Sequence, residues 1–491
     1  MEYPHDVGTP TTDLTTAKCL INSILSTENS KALCADIKDF YLNTPMEIYE
    51  YMKLRVDIIP DEIVQQYKLN NIAEDGWVYI EIRKGMYGLK QAGKLANVQL
   101  EEHLAKFGYA PTPMTPGLWR HATNGVIFSL CVDDFLIKYR CKKDVEHLLN
   151  TLQSKYTIST DWDATSYCGV KLEWNYVTRT CDLSMPTYVQ DALKAFLHPH
   201  PTRAQHAPHP WLKPVYGAKS EQVPPPDESA LVSATELSFI QQVIGKFLYY
   251  ERAIDCTMVT ALNELATTQT SKTATTKIMD KIIWFLDYAA THPDAKVRYH
   301  ASGMVLHIQS DASYLSVKNA KSRVGGHFYL GNTRDSEKPP TNGPLYIVCN
   351  ILKNVVASAA EAELAALFHN AQEAVILRTT LEEMGHKQPA TPIKTDNSTA
   401  AGIINNTIKQ KKSRSMEMKF FWVKDKVKDN QFVIFWKPGK ENTGDYFTKH
   451  HPASQHRKMR YTYLQPSANG SKYAHKLKPQ SLRGCANLSK T

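Results

Sequence analysis

The sequence predicts a multidomain chain in which an α+β segment and an α/β segment flank a helical region. Three observations carry this. The chain has 491 residues, and at roughly 150 residues per domain such a length calls for about three domains. Its apolar pattern switches from mixed strand-like and helical stretches to a purely helical period, then back to strands followed by one long helix. Finally, residues 197–229 are crowded with proline and histidine, from His198-Pro-His-Pro201 to the triplet Pro224–Pro226, a density that forbids helix and reads as an extended linker.

Composition bounds the class. With 42% hydrophobic and 22% charged residues, the chain is neither a disordered polymer nor a fibre. Nine cysteines are scattered without a Cys-x-x-Cys pair, which excludes zinc ribbons and disulfide scaffolds and points to a reducing compartment. No stretch approaches the 18 or so apolar residues of a membrane span, and the start, with Glu2 and His5, does not resemble a signal sequence, so no membrane partner is expected. Lys and Arg outnumber Asp and Glu by 58 to 49, a net +9, which favours a polyanion such as nucleic acid. Most of that excess lies in residues 451–491, which hold eight Lys/Arg and no acid.

Taken in order, residues 1–196 mix strand-like runs, Val78–Ile82 and Val126–Val132, with the helical stretch Leu95–Phe107. After the linker, residues 230–303 read as helical, with Ile240, Val243, Ile244, Phe247 and Leu248 at spacings of three and four. The histidines of the linker raise the thought of metal capture, but no acid or cysteine stands near them in sequence, and a solvated linker is the simpler reading. Residues 304–450 return to strands and then a helix over Ala360–Met384, whose apolar face of Leu364, Leu367, Phe368, Ala371 and Val375 is closed by Gly385. Residues 451–491 read as a basic tail.

Two groups of acids stand out. In the first, Asp133 and Asp134 interrupt the apolar runs Val126–Val132 and Phe135–Ile137. Aspartate is a favoured turn residue, so a solvated hairpin explains this pair by itself. Asp36, at the end of the strand-like Cys34-Ala-Asp36, lends a third acid from a second element, with the aromatic Tyr41 five residues on. Two unit charges ~4 Å apart repel by about 4 kcal/mol at an effective dielectric of 20, so three converging carboxylates call for cations. Oxygen-only ligands suit Mg²⁺ or Mn²⁺, and two such ions ~3.5–4 Å apart can activate an attacking hydroxyl and steady a leaving pyrophosphate.

In the second group, Asp311 ends the strand-like run Val305–Ser310, and Asp396 follows the run beginning at Pro392, where a helix N-cap is the structural alternative. Glu361 and Glu363 lie two positions apart, about 200° around a helix, so only one of them can face a site. Asp445 falls in Gly444-Asp-Tyr-Phe-Thr-Lys449 and is by itself a cap or a surface charge.

The motifs of the first group, Asp36-x-x-Asp39-x-Tyr41-Leu, Lys84-Gly-Met-Tyr-Gly-Leu-Lys90-Gln91-Ala92 and Cys131-Val-Asp133-Asp134, resemble in order and spacing those of copia-type retrotransposon reverse transcriptases. The resemblance implies a right-hand polymerase palm and fingers over residues 1–196. It makes Asp36, Asp133 and Asp134 the metal-holding catalytic acids, Tyr41 the gate against a ribose 2′-hydroxyl, and Lys90 and Gln91 nucleotide-side contacts. Tyr167-Cys-Gly169-Val-Lys-Leu172-Glu173 is similar to the primer-gripping hairpin, which adds Gly169 to the substrate residues. Cys131 stands where most relatives carry tyrosine, and only 35 residues precede Asp36, so the fingers are expected to be N-terminally incomplete.

Ser358-Ala-Ala-Glu361-Ala-Glu363-Leu364 and Gly444-Asp445-Tyr-Phe-Thr-Lys449 resemble motifs of the copia-type ribonuclease H, as does Arg414–Lys424 with its aromatic residues. This implies an RNase H-like domain over 304–450, with Asp311, Glu363, Asp396 and Asp445 as its metal-holding catalytic set, reached through a helical thumb or connection over 230–303.

The implied function is RNA-directed DNA synthesis and cleavage of the RNA strand of the hybrid, with two Mg²⁺ (or Mn²⁺) ions per active site. The implied partners are an RNA template, a DNA or RNA primer, deoxynucleoside triphosphates, the RNA–DNA hybrid and other parts of a Pol polyprotein. The implied setting is a cytoplasmic virus-like particle with a nuclear phase. No protease or integrase motif is recognisable, so the chain is expected to be the terminal portion of a longer polyprotein or a truncated copy. The competing reading is a decayed element fragment that binds nucleic acid through Lys409-Gln-Lys-Lys412, Arg414 and the basic tail without catalysis.

Overall fold

The computed structural model describes residues 7–213, 227–333, 342–408 and 417–465. The chain forms two compact units, one of Met1–Leu20 with Asn29–Cys168, the other of Ile21–Glu28 with Gly169–Thr491. Among the described residues, no helix is long and apolar enough to cross a membrane.

The first unit is built on a six-stranded sheet that runs, edge to edge, Tyr109–Pro111, Leu118–His121, Ile127–Cys131, Asp134–Tyr139, Lys31–Ile37 and Ile158–Asp161, each pair antiparallel. Lys31–Ile37 is an interior strand, paired on both sides, and its Ala32-Leu-Cys-Ala35 is buried throughout, as a strand covered on both faces must be. The helices Ala92–Ala105 and Lys142–Gln153 supply Leu100, Leu104, Val145, Leu148 and Leu152 to one core with Leu33, Phe128 and Ile137. Pro45–Arg55 and Trp77–Lys84 form a separate two-stranded ribbon with a small core of Val64, Leu69 and Val78.

The second unit holds a five-stranded sheet in the order Tyr346–Ile351, Lys321–Gly331, Val305–Val317, Thr391–Thr395 and Phe432–Trp436. The first three strands are antiparallel and the last two join in parallel, so the order is 3-2-1-4-5 with mixed sense. The helix Ala359–Glu383 lies on this sheet, which is the RNase H-like arrangement expected above. Ser358 caps its N-terminus by accepting from the Glu361 N–H, and Gly385, at φ +88°, ends it in the left-handed region that glycine enters without penalty. Before the sheet come the helices Ala234–Ala253, Val259–Ala266 and Thr276–Thr291, the first opened by a reciprocal Ser233/Glu236 capping box.

Three expectations need correction. The region 230–303 is not wholly helical, because Lys296–His300 is a strand that pairs with Thr180–Ser184. The proline-rich segment has no helix among its described residues, and it is only partly solvated. His198 pairs with Asp287 at 2.9 Å, Trp284 Nε1 donates to the Ala207 carbonyl at 2.8 Å, and Ala207 and His209 are buried. The basic tail does not begin at 451, since Ala453–Tyr463 is a helix whose Arg460 is buried against Asp255 at 2.6 Å and whose Tyr463 hydroxyl donates to the Thr443 carbonyl. Charge counting registers Arg460 as surface charge because its partner lies some two hundred residues away in sequence. Pro214, Pro224–Pro226, Lys409–Lys412, Arg414 and the chain beyond Gln465 lie outside the described residues.

Candidate active sites

In the first unit the three acids are gathered by strand register. Lys31–Ile37 runs antiparallel to Asp134–Tyr139 with Asp36 directly opposite Asp134, and cross-strand neighbours sit about 4.5–5.5 Å apart. Asp133 occupies the two-residue turn between Ile127–Cys131 and Asp134–Tyr139, and its carbonyl accepts from the Ile37 N–H at 3.1 Å. The turn is strained: Val132 sits at φ +63°, a left-handed position that a β-branched residue enters at a cost of about 1–3 kcal/mol. Tight pairing on both sides of the turn holds it there.

Burial, then the neighbouring Asp133 and Asp36, raise the Asp134 carboxyl to about 6. Asp133 is also raised, by burial and by Asp36, against a lowering hydrogen bond from Tyr87, whose hydroxyl lies 3.5 Å from Asp133 Oδ2. Tyr87 is the tyrosine of the motif Lys84–Ala92. Its ring packs 4.9 Å from that of Tyr41, which places Tyr41 beside the acids. Gly85 makes room for Tyr41, since a Cβ there would stand 2.7 Å from the Tyr41 carbonyl oxygen. Lys90 is exposed. Gln91 is buried and donates to Glu50 Oε1 at 2.9 Å, so its amide is engaged with the ribbon. Gly169, at φ +75°, opens the second unit ahead of the strand Val170–Asn175.

The acids of the second unit come from separate elements. Asp311 lies on the central strand, Glu363 one turn into the long helix and Asp396 just past Thr391–Thr395, and carboxylate oxygens of all three lie within 4.8 Å of one another. Each is fixed. The Asp311 carboxylate accepts from the Thr448 hydroxyl at 2.9 Å, and Glu363 accepts from the Ala312 N–H at 3.2 Å and the Thr395 hydroxyl at 3.3 Å. Asp396 is not the helix cap, because Asn397 takes that role by accepting from the Ala400 N–H. Glu361 accepts instead from the Ala357 N–H, away from the cluster. Asp445 stays outside this close group and pairs with Lys449, although its charge still reaches Asp311 and Asp396.

Burial, reinforced by the neighbouring acids, raises the carboxyls of Asp311, Glu363 and Asp396. Sequence reasoning did not find Asn370, which donates to the Ser310 hydroxyl and the Gly325 carbonyl beneath the cluster. Its sequence signal, one polar residue on an apolar helix face, is faint. Oxygen donors alone, crowded and partly protonated, are what a hard divalent cation neutralises, so both groups fit Mg²⁺ or Mn²⁺.

An antiparallel sheet bearing acids at a hairpin, joined in one chain to a mixed sheet with a buried acid cluster, defines the polymerase-and-nuclease class of enzyme. Residues 1–199 match the family model described as reverse transcriptase (RNA-dependent DNA polymerase). Across 90% of its length the chain is 20% identical to the retrovirus-related Pol polyprotein from transposon TNT 1-94 of Nicotiana tabacum, of which it covers 31%. Across 80% it is 23% identical to that from transposon RE2 of Arabidopsis thaliana, of which it covers 25%. The resemblance to copia-type Pol polyproteins is thereby borne out, and the chain spans about a third or less of these relatives. Among solved structures, the foamy viral protease-reverse transcriptase in complex with RNA/DNA hybrid aligns over 88% of this chain and 46% of that one, at 10% identity and a TM-score of 0.44. RNase H1 from the halophilic archaeon Halobacterium salinarum aligns over 29% and 94%, at 12% identity and a TM-score of 0.21.

Proposed function

We propose that this chain copies RNA into DNA at Asp36, Asp133 and Asp134 and cleaves the RNA strand of the resulting hybrid at Asp311, Glu363, Asp396 and Asp445. The observation that carries the reading is the convergence within 4.8 Å of three carboxylates, two of them buried, on a mixed sheet and the helix that covers it. Divalent ions held by each acid set would supply charge neutralisation and activation of the attacking oxygen.

The residues themselves do the positioning. The strained hairpin holds Asp133 in place, and Tyr87 hydrogen-bonds its carboxylate. Tyr41, packed on Tyr87, is the gate against ribonucleotides. In the nuclease unit Thr448, Thr395 and the Ala312 N–H fix the lone-pair directions of Asp311 and Glu363. Protons kept on the clustered acids leave when cations enter. The hybrid is recognised by shape and 2′-hydroxyls.

The test is a pair of assays on the same protein. Primer extension on an RNA template with Mg²⁺ is expected from wild type and lost in Asp133→Asn, whereas cleavage of a labelled hybrid is lost in Asp396→Asn. Equally low extension by wild type and Asp133→Asn would refute the polymerase half. Cutting by Asp396→Asn at the wild-type rate would refute the nuclease half. Salt-dependent binding without turnover in either assay would instead favour a non-catalytic fragment.

A further inference from the structure

We propose a third metal site, distinct from both carboxylate groups, in which His209, Glu264 and His450 hold a zinc-type ion that clips the proline-rich segment to the nuclease unit. The three residues come from far apart in sequence: the Pro208-His-Pro210 stretch, the helix Val259–Ala266, and the segment after Asp445. One ligand atom from each lies within 4.8 Å of the other two.

The orientation of His209 makes the case. Its Nδ1 stands 2.7 Å from the Pro210 carbonyl oxygen. A carbonyl only accepts, so Nδ1 carries the hydrogen, which leaves Nε2 as the ring atom that can meet an ion. That Nε2 is buried without a hydrogen-bond partner and faces Glu264 Oε1 at 3.3 Å. Two such atoms face to face need a proton or a metal ion between them, and a third ligand atom within 4.8 Å is what makes the place fit a metal. Metal-ligating histidines commonly anchor the far nitrogen on a carbonyl and turn the near one to the ion, as here.

His450 completes the set. Its Nε2 meets Glu264 Oε2, and its ring stacks on that of His209 at 3.8 Å and 12°. In the metal-free chain the contact with Glu264 is a hydrogen bond from His450 Nε2 to the carboxylate, and an ion held there would displace its proton. Lys281 and Arg323 approach Glu264 at 3.0 and 4.0 Å. They draw on a carboxylate that has about four acceptor positions, and they weaken the site for hard ions. Two imidazoles and one such carboxylate select Zn²⁺ or a similar transition metal over Mg²⁺. The ion would fix His209 and His450 together, five residues beyond Asp445.

The test uses the full chain, stripped with chelator and titrated with Co²⁺ as a spectroscopic stand-in for Zn²⁺. The expected result is one equivalent of Co²⁺ with the visible absorption of a nitrogen-ligated, low-coordinate site, displaced by Zn²⁺. It should persist in Asp396→Asn and vanish in His209→Ala and His450→Gln. A rise of the thermal midpoint with Zn²⁺, lost in His450→Gln, gives a second readout should His209→Ala misfold. The proposal is overturned if no such band develops at ~100 µM Co²⁺, a dissociation constant too weak for a structural ion, or if folded His209→Ala and His450→Gln keep the wild-type spectrum.

Discussion

The two carboxylate groups are assembled by opposite routes. In the first unit, Asp36 and Asp134 face each other because two adjacent strands are in register, and Asp133 rides on the turn between strands. The three remain half-exposed, and their oxygens do not all come within 4.8 Å of one another. In the second unit, Asp311 comes from the middle of a strand, Asp396 from a strand end and Glu363 from a helix; Asp311 and Glu363 are buried, Asp396 is half-buried, and the three converge more closely. A site set by register is secured by backbone pairing and tolerates some openness. A site set by tertiary convergence depends on each buried hydrogen bond beneath it.

The largest expected effect separates the two activities. Asp396→Asn is expected to lower hybrid cleavage by more than about 100-fold, since even outer-shell changes around a metal cost ~10–100-fold, while primer extension persists. Asp133→Asn should do the reverse, and the two assays read it directly. Next, Mg²⁺ is expected to stabilise the nuclease unit more than the polymerase unit. At a hundredfold excess over its dissociation constant an ion contributes about 2.7 kcal/mol, and Glu363→Gln should lose most of the Mg²⁺-dependent rise in thermal midpoint. If Asp134→Asn loses as much, the contrast between tight and loose groups fails.

A smaller effect probes the support beneath the buried cluster. A Cβ at Gly326 would fall 2.1 Å from Asn370 Oδ1, itself buried, so Gly326→Ala should destabilise the nuclease unit by about 1–3 kcal/mol, measured by denaturant unfolding, and leave primer extension intact. The smallest effect concerns pH. The Asp134 carboxyl rises from 3.8 to about 6 on folding, so the folded state binds this proton more tightly than the unfolded chain does. Stability of the metal-free chain therefore falls as pH climbs from near 4 to near 6, and the loss is complete above that. Asp134→Asn should recover on the order of 1 kcal/mol at pH 7, after discounting for solvent screening, and nothing near pH 3. An equal gain at both values would remove the electrostatic explanation.

Much of this was legible in sequence where the determinant is local. The alternation around Asp133 and Asp134 predicted a hairpin, and the 200° between Glu361 and Glu363 predicted that only one faces the cluster, as Ala357 and Ala312 now show by their different partners. Asp396 was ambiguous because the capping residue is the adjacent Asn397, and two side chains with the same chemistry one position apart cannot be told apart by spacing. Gln91 was legible as a motif residue but not as a partner of Glu50, a pairing made by tertiary approach. The proline-rich segment and residues 453–463 were misjudged for the same reason: their partners, Asp287, Trp284, Glu264 and Asp255, are remote in sequence.

The burial of Arg460 has a consequence for where this unit can be cut. Asp255 is fully buried, and Arg460 is its ionic partner; severing the chain ahead of that arginine strands a carboxylate in a dry interior. Gln465 adds a last stitch, its N–H donating to the Lys296 carbonyl at 2.8 Å. A protease nicking beyond Gln465 would leave that ion pair and that last backbone bond in place, whereas one nicking between His451 and Arg460 would unlock the nuclease unit from its C-terminal side.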